Sequence, residues 1–324
     1  MNNKIIFGGG KRLEVFDIAK GIGIILMVLG HCCGIRLYNW IYCFHMPLFF
    51  VMSGMFFIPG KYNFVEFLQK RIKQLMIPLI IFLFVIVVLY LVLLPEKNIL
   101  SSFRLGLPGA LWFLWVLFLL EIFYFGIDRA LKSNKYILLS FAVLSAIFAK
   151  WLDVNSYGIR SWYVNAIFVA LPFYCIGNIF SRQLKIIVSI SMKNVYVVFL
   201  SVLLIILPLV VTYHTNKTIL IWNSKIPSPI LLYYSLAICG TVGVFYISKF
   251  FDETNSKIIT VLSFLGRNTI PIIAFNQFLI DFSSKIFVCE NHMVFKCLQQ
   301  MLVWSVCLFV IWFCNRYCKK AVGK

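Results

Sequence analysis

Four ionisable side chains stand out near the start of this chain because they sit where charge is costly. The run FDIAKGIGIILMVLGH, followed by FHMPLFFVMSG, carries Asp17, Lys20, His31 and His45 inside segments apolar enough to span a bilayer. A membrane protein that keeps ionisable groups in hydrocarbon generally uses them. Lys20 and His31 are eleven residues apart. That is about three helical turns, so both lie on nearly one face, about 16 Å apart along the axis. One helix thus carries a cation near one membrane surface and an imidazole near the other. A neutral imidazole there is suited to taking a proton from a hydroxyl or relaying an acyl group. The competing reading is a structural histidine bonded to a backbone carbonyl.

Other residues group around these. His45 sits beside Pro47, whose missing N–H loosens a helix that can then line a cavity. It reads as an orienting or proton-handling group, or as a partner for the loosened backbone. Ser53 next to Gly54 fits a close helix contact better than a nucleophile. Asp17 and Lys20 are i,i+3 neighbours, so an interfacial pair with a snorkelling lysine is the alternative to a site. Lys70, Arg71 and Lys73 in QKRIKQLMIP crowd one end of the third apolar run, where they would hold a phosphorylated donor or simply mark topology. Glu121, midway along the fourth run, has no sequence-local partner and needs one in space. Arg267 and Asn268 in LGRNT are placed to join a phosphate site. Trp112, Trp115 and most of the 33 Phe read as packing or lipid-facing residues, and His214 and His292 as solvated loop residues.

The elements that must position these groups are membrane helices. Of 324 residues, 62% are hydrophobic and 13% charged, with mean hydropathy +0.93. A soluble domain of this length could not bury so much apolar surface. Apolar runs near 15–34, 40–58, 75–94, 110–127, 136–150, 163–180, 195–213, 229–248, 258–281 and 297–314 predict about ten transmembrane helices in an all-α polytopic bundle. The ninth is interrupted by Arg267, Asn268 and Asn276. The net charge of +19 comes from basic residues clustered in alternate short loops, which reads as membrane orientation rather than nucleic-acid binding. Lys4, Lys11 and Arg12, the alternate loops from Lys61 to Lys257, and Arg316 to Lys324 outnumber the intervening Arg36, Lys97, Arg104, Lys150, Arg160, Lys217, Lys225, Lys285 and Lys296. Both termini are therefore expected in the cytoplasm, as tails of about 1–14 and 315–324, which requires an even helix count. The first run is too long for a signal-peptide core and should stay as a helix. The ten cysteines show no metal-type pairing with histidine and read as small hydrophobes. Residues 1–324 read as one membrane domain without an internal repeat.

These residues together resemble the acyltransferase-3 family of integral-membrane O-acyltransferases, and within it the fucose 4-O-acetylase-like branch. The resemblance rests on the spacing of Lys20 and His31, the preceding Asp17, FHMPLFFVMSGMFF (44–57), the basic run ending at Pro78, ALWFLWVLF (110–118) and ALPFYCIGNIF (170–180). Two departures matter. The family's basic motif usually carries arginines where this chain mixes Lys70, Arg71 and Lys73. Its late Gly-x-Asn-Ser block and histidine are replaced by LGRNTIPIIAFNQ, with Thr269 and then Asn276 or Gln277.

The resemblance implies acetyl transfer from cytoplasmic acetyl-CoA, without a metal, to a hydroxyl of a surface polysaccharide or its lipid-linked sugar precursor. The setting it implies is multi-pass in a bacterial inner membrane, among lipids and with no nucleic-acid partner. On this reading His31, with Lys20 and Asp17, is catalytic. His45, Ser53 and Glu121 bind substrate, and Lys70, Arg71, Lys73, Arg267 and Asn268 bind the donor. Whether His31 carries the acetyl group or acts only as base stays open. The main alternative is a transporter or flippase of a lipid-linked sugar. Pro47, Pro78, Pro172 and Pro271 partly meet its need for broken helices, but the expected two-fold repetition is not seen. A noncatalytic membrane sensor or scaffold is the third reading.

Overall fold

The computed structural model describes residues 14–32, 35–99, 106–154, 161–192, 195–215, 219–223, 225–254, 257–287 and 289–323. Most of the expected N-terminal tail with Lys4, Lys11 and Arg12 lies outside them, as do Cys33, Arg104, Arg160, Lys193, Lys217 and Lys324. Twelve helices are described: α1 (Glu14–Gly30), α2 (Ile35–Met55), α3 (Phe64–Leu93), α4 (Trp112–Ala130), α5 (Lys135–Val154) and α6 (Val164–Ile179). They continue as α7 (Ser181–Ser189), α8 (Val195–Thr215), α9 (Ile230–Thr254), α10 (Lys257–Arg267), α11 (Thr269–Ile286) and α12 (His292–Tyr317). Among the described residues there is no strand beyond one isolated bridge between Leu220 and Lys225. The all-α membrane bundle expected from composition is what forms.

The bundle is built around α2. Every residue from 41 to 52 is buried, and α2 packs against α1, α6, α8 and α9. Two backbone-to-backbone crossings fix its neighbours. A Cβ on Gly54 would run into the Tyr174 carbonyl and one on Gly177 into the Val51 carbonyl. In the same reciprocal way, a Cβ on Gly21 would meet the Leu262 carbonyl and one on Gly266 the Asp17 carbonyl. Small residues let helices approach this closely where no hydrophobic effect drives them together. The peripheral helices turn apolar stripes outward, as Phe199, Leu203, Ile206 and Val210 do on α8. Asp17, His45, Glu121 and Asn276 lie inside. That polarity is the reverse of a soluble protein's and suits lipid surroundings.

Among the described residues six helices (α3, α4, α5, α8, α9 and α12) are long and apolar enough to cross a membrane. The count reaches eight if the α6–α7 pair, bent by 72°, and the α10–α11 pair, bent by 80°, are each one span. The ten expected from the sequence requires α1 and α2 to cross as well. α1 has 17 residues, and α2 carries Arg36, Asn39 and His45 among its 21. The interruption expected in the ninth run is real: the chain breaks at Asn268, between α10 and α11.

Two local features aim side chains at the interior. α3 opens on a capping box, with Asn63 and Glu66 satisfying each other's backbone N–H. Pro78 has no N–H to continue the ladder, and the helix widens into a π turn over Ile72–Met76, with the Ile77 N–H reaching back to Ile72. Arg71 stands at the start of that widened turn. The last short turn, Lys319–Val322, folds back so that Val322 lines one cavity with Lys20 and Arg71. The first half of α1 and the end of the described chain therefore lie toward the same end of the bundle.

Candidate active site

The two histidines meet, as their positions on α1 and α2 suggested. Both line a cavity of about 320 Å³ together with Tyr38, Tyr42, Trp112, Tyr163 and Gln277. His31 follows the last turn of α1, and its Nε2 shares a 3.0 Å hydrogen bond with the Tyr42 hydroxyl. Tyr42 stacks on Tyr38 (ring centroids 3.8 Å apart) and meets His45 edge-on (4.5 Å). One tyrosine thus ties the two imidazoles into a single cluster. His45 is fully buried, and its Nδ1 lies 2.9 Å from the Ile41 carbonyl. A carbonyl only accepts, so Nδ1 carries the hydrogen and the neutral ring keeps Nε2 as an acceptor. The bond is not to the carbonyl that Pro47 leaves open, which is that of Cys43, four residues back.

A second cavity, of about 290 Å³, lies on the other side of a shared wall made by Phe49, Phe113 and Ile273. It gathers Lys20, Ser53, Arg71, Glu121, Arg267 and Asn268. These come from five different helices or helix junctions, so their meeting is a result of the tertiary fold. Glu121 finds its partner here: Arg71 Nε is 2.9 Å from Glu121 Oε2, with the carboxylate side chain only 2% exposed. The two are in ion contact without a well-directed N–H···O line, and Arg71 Nη1 also donates to Gln74 Oε1 at 3.0 Å. Arg267 Nη2 donates to Ser263 Oγ at 3.2 Å. Asn268 donates to the Phe264 carbonyl and accepts from Asn315, at 2.8 and 2.9 Å. Lys20, Arg71 and Arg267 against Glu121 leave the cavity cationic, so it suits an anion.

The structure separates other candidates. His45 lines the histidine cavity, whereas Ser53 and Glu121, grouped with it as substrate contacts, line the cationic one. Asp17 is buried at the crossing of α1 with α10 and lines neither cavity. The basic trio is split. Arg71 turns inward, while Lys70 and Lys73 line an outer cleft of about 760 Å³ with Gln74 and Lys320. Lys70 donates to the Tyr62 hydroxyl at 3.0 Å, a bond that holds this half-buried phenol below its ordinary pKa range. Among the described residues no group of three His, Cys, Asp or Glu converges as a metal site would require.

Sequence reasoning missed Tyr42, although Tyr38, Tyr42, His45 and Phe49 follow the i, i+4, i+7, i+11 stripe of one helix face. It also treated Trp112 as packing or lipid-facing, yet this residue is buried and lines the histidine cavity. Gln277, noted only as a departure from a late histidine, does reach that cavity.

A family model described as "Acyltransferase domain" matches residues 13–314. Among characterised proteins, the chain is 28% identical over 200 residues to Nodulation protein NolL of Sinorhizobium fredii (strain NBRC 101917 / NGR234), covering 55% of this chain and 51% of that one. It is 26% identical over 251 residues to Nodulation protein NolL of Mesorhizobium japonicum (strain LMG 29417 / CECT 9101 / MAFF 303099), covering 70% of this chain and 65% of the relative. The chain thus spans between half and two thirds of the relatives it matches. No solved structure matches it.

Proposed function

Because this chain belongs to the acyltransferase-3 family, we propose that it is a membrane O-acetyltransferase moving an acetyl group from cytoplasmic acetyl-CoA to a sugar hydroxyl of a surface polysaccharide or its lipid-linked precursor. The observation that carries this reading is the pair of cavities that share Phe49, Phe113 and Ile273 in their walls. One is cationic and the other holds both histidines, as transfer from an anionic nucleotide donor to a neutral hydroxyl needs. Lys20, Arg71 and Arg267 hold donor phosphate or carbonyl oxygens, with Lys70 and Lys73 at the outer cleft drawing the nucleotide in. The thioester passes the aromatic wall toward His31.

There, His31 takes the proton of the sugar hydroxyl as its oxygen attacks the thioester carbonyl. The C–S bond breaks, CoA leaves as thiolate, and the proton held on the imidazole returns to the sulfur. His45, with Nε2 as acceptor, orients the hydroxyl, and Tyr42 positions His31. The basic end of the bundle faces the cytoplasm of a bacterial inner membrane in this scheme, with the chain termini on that side.

The test is transfer from labelled acetyl-CoA to surface-glycan precursors by membranes containing wild type or His31→Ala at equal levels. Label reaching glycan with wild type and dropping by about 10²-fold or more with His31→Ala is expected. Equal labelling by both would remove His31 from the chemistry. Absence of labelling by wild type would overturn the acetyltransferase reading.

A further inference from the structure

A third cavity, of about 470 Å³, opens beside the histidine cavity and shares Gly109, Tyr163, Trp222 and Gln277 with it. No candidate from the sequence falls in it. Its lining combines aromatic and polar residues. Trp222, 39% exposed, stands edge-on to Tyr163 with ring centroids 6.3 Å apart. In the same lining, Asp281 accepts from the Tyr90 hydroxyl at 2.8 Å and from Gln277 Nε2 at 3.4 Å, and pairs with Lys97 at 3.7 Å. Asn223 adds a further polar group.

The aromatic part is held at a cost. Trp162 and Tyr163 take consecutive left-handed backbone conformations, at φ 64° and 58°, a region disfavoured for any residue with a side chain. The Tyr163 hydroxyl donates to the Leu107 carbonyl at 2.7 Å, and Trp115 Nε1 donates to the Trp162 carbonyl at 3.1 Å. Gly106 leaves the space that the Tyr163 ring fills. Such strain concentrates at ligand-contacting positions. Here it fixes a ring in the wall common to the two cavities.

The geometry points to this vestibule as the binding site for the acceptor, and to the acceptor unit as a neutral pyranose. A sugar ring has an apolar C–H face and a rim of hydroxyls. Trp222 and Tyr163 supply a surface for the first, while Asp281, Gln277 and Asn223 supply acceptors and donors for the second. The volume falls within the ~300–1,000 Å³ range of small-molecule sites. Charge decides the class. Asp281 is paired with Lys97 at 3.7 Å. Among the described residues that line the cavity the one cation, Lys97, is thus paired, so none there is free to hold a uronate or a pyrophosphate. Gln277 lines both cavities, so a ring seated on Trp222 directs a hydroxyl toward His31. The role as acceptor site rests on the acyl-transfer reading, but the binding of a neutral sugar does not.

The experiment is saturation-transfer NMR on the purified chain in detergent, using methyl glycosides of neutral hexoses and 6-deoxyhexoses and a methyl hexuronoside. CoA binding is measured on the same preparations. Wild type should bind at least one neutral glycoside, and the hexuronoside at least about tenfold more weakly. Trp222→Ala should weaken neutral binding about tenfold or more with CoA binding unchanged, and Trp222→Phe should restore most of it. Unchanged binding by Trp222→Ala, equal binding of the hexuronoside, or no binding of any neutral glycoside by CoA-binding wild type would each overturn the assignment. Neutral-glycoside binding without acetyl transfer to those sugars would sink the acetyltransferase reading and leave the sugar site standing.

Discussion

The Arg71–Glu121 contact allows a quantitative test because it joins the fold to the donor cavity. At 2.9 Å, the Coulomb attraction is about 6 kcal/mol at an effective dielectric of about 20, much of it offset by desolvating a carboxylate side chain 2% exposed. Removing one partner leaves the other buried and uncompensated, which costs about 3–5 kcal/mol. Replacing both with apolar residues of similar volume is often neutral or better. We therefore expect Arg71→Met and Glu121→Leu each to destabilise the chain by about 3 kcal/mol, and the double variant by much less than their sum. The coupling should exceed about 2 kcal/mol, read from reversible unfolding in bicelles. Donor affinity should behave differently. Arg71→Met and the double variant should both raise the acetyl-CoA KM about tenfold, since restored stability does not restore a guanidinium. A coupling below about 0.5 kcal/mol, the level of an exposed pair, would refute the ion-pair reasoning. A double variant with wild-type KM would remove Arg71 from donor binding.

Two further outcomes follow from the same geometry. Tyr42→Phe removes the hydroxyl bonded to His31 Nε2 at 3.0 Å, a loss of about 0.5–1.5 kcal/mol. It should lower kcat about 2- to 12-fold and shift its pH profile, with the acetyl-CoA KM unchanged; an unaltered kcat would show that Tyr42 does not position the base. Ile273→Trp enlarges the wall common to the two cavities. It should suppress transfer in steady-state assays while CoA still binds in equilibrium dialysis, and wild-type turnover would mean that the acyl group does not pass this wall.

Much of the fold is legible in the order of the amino acids. Apolar run length and helical period are local properties, so the all-helical membrane bundle and the interruption at Asn268 can be read directly. Hydropathy alone is less informative about the helices that matter most. α2 carries Arg36, Asn39 and His45, which lower the signal that marks a span, and α1 has only 17 described residues. Gly54 beside Ser53 reads correctly as a close helix contact, because a small residue in an apolar run has few other uses.

The site is legible as a set of side chains but not as a pair of compartments. Sequence determines which residues are costly to bury, through desolvation, and therefore which ones need partners: Glu121 needs one, and a short linker brings His31 and His45 to a shared pocket. Only the tertiary structure could choose Arg71 for Glu121, turn Lys70 and Lys73 away from it, or put Ser53 with the cationic groups instead of with His45. Only it could bring Tyr163, Trp222, Gln277 and Asp281 around one vestibule. The reason is that these choices depend on how helices rotate and cross. Those angles are set by glycine contacts such as Gly54 with Tyr174 and Gly266 with Asp17, between residues more than a hundred positions apart.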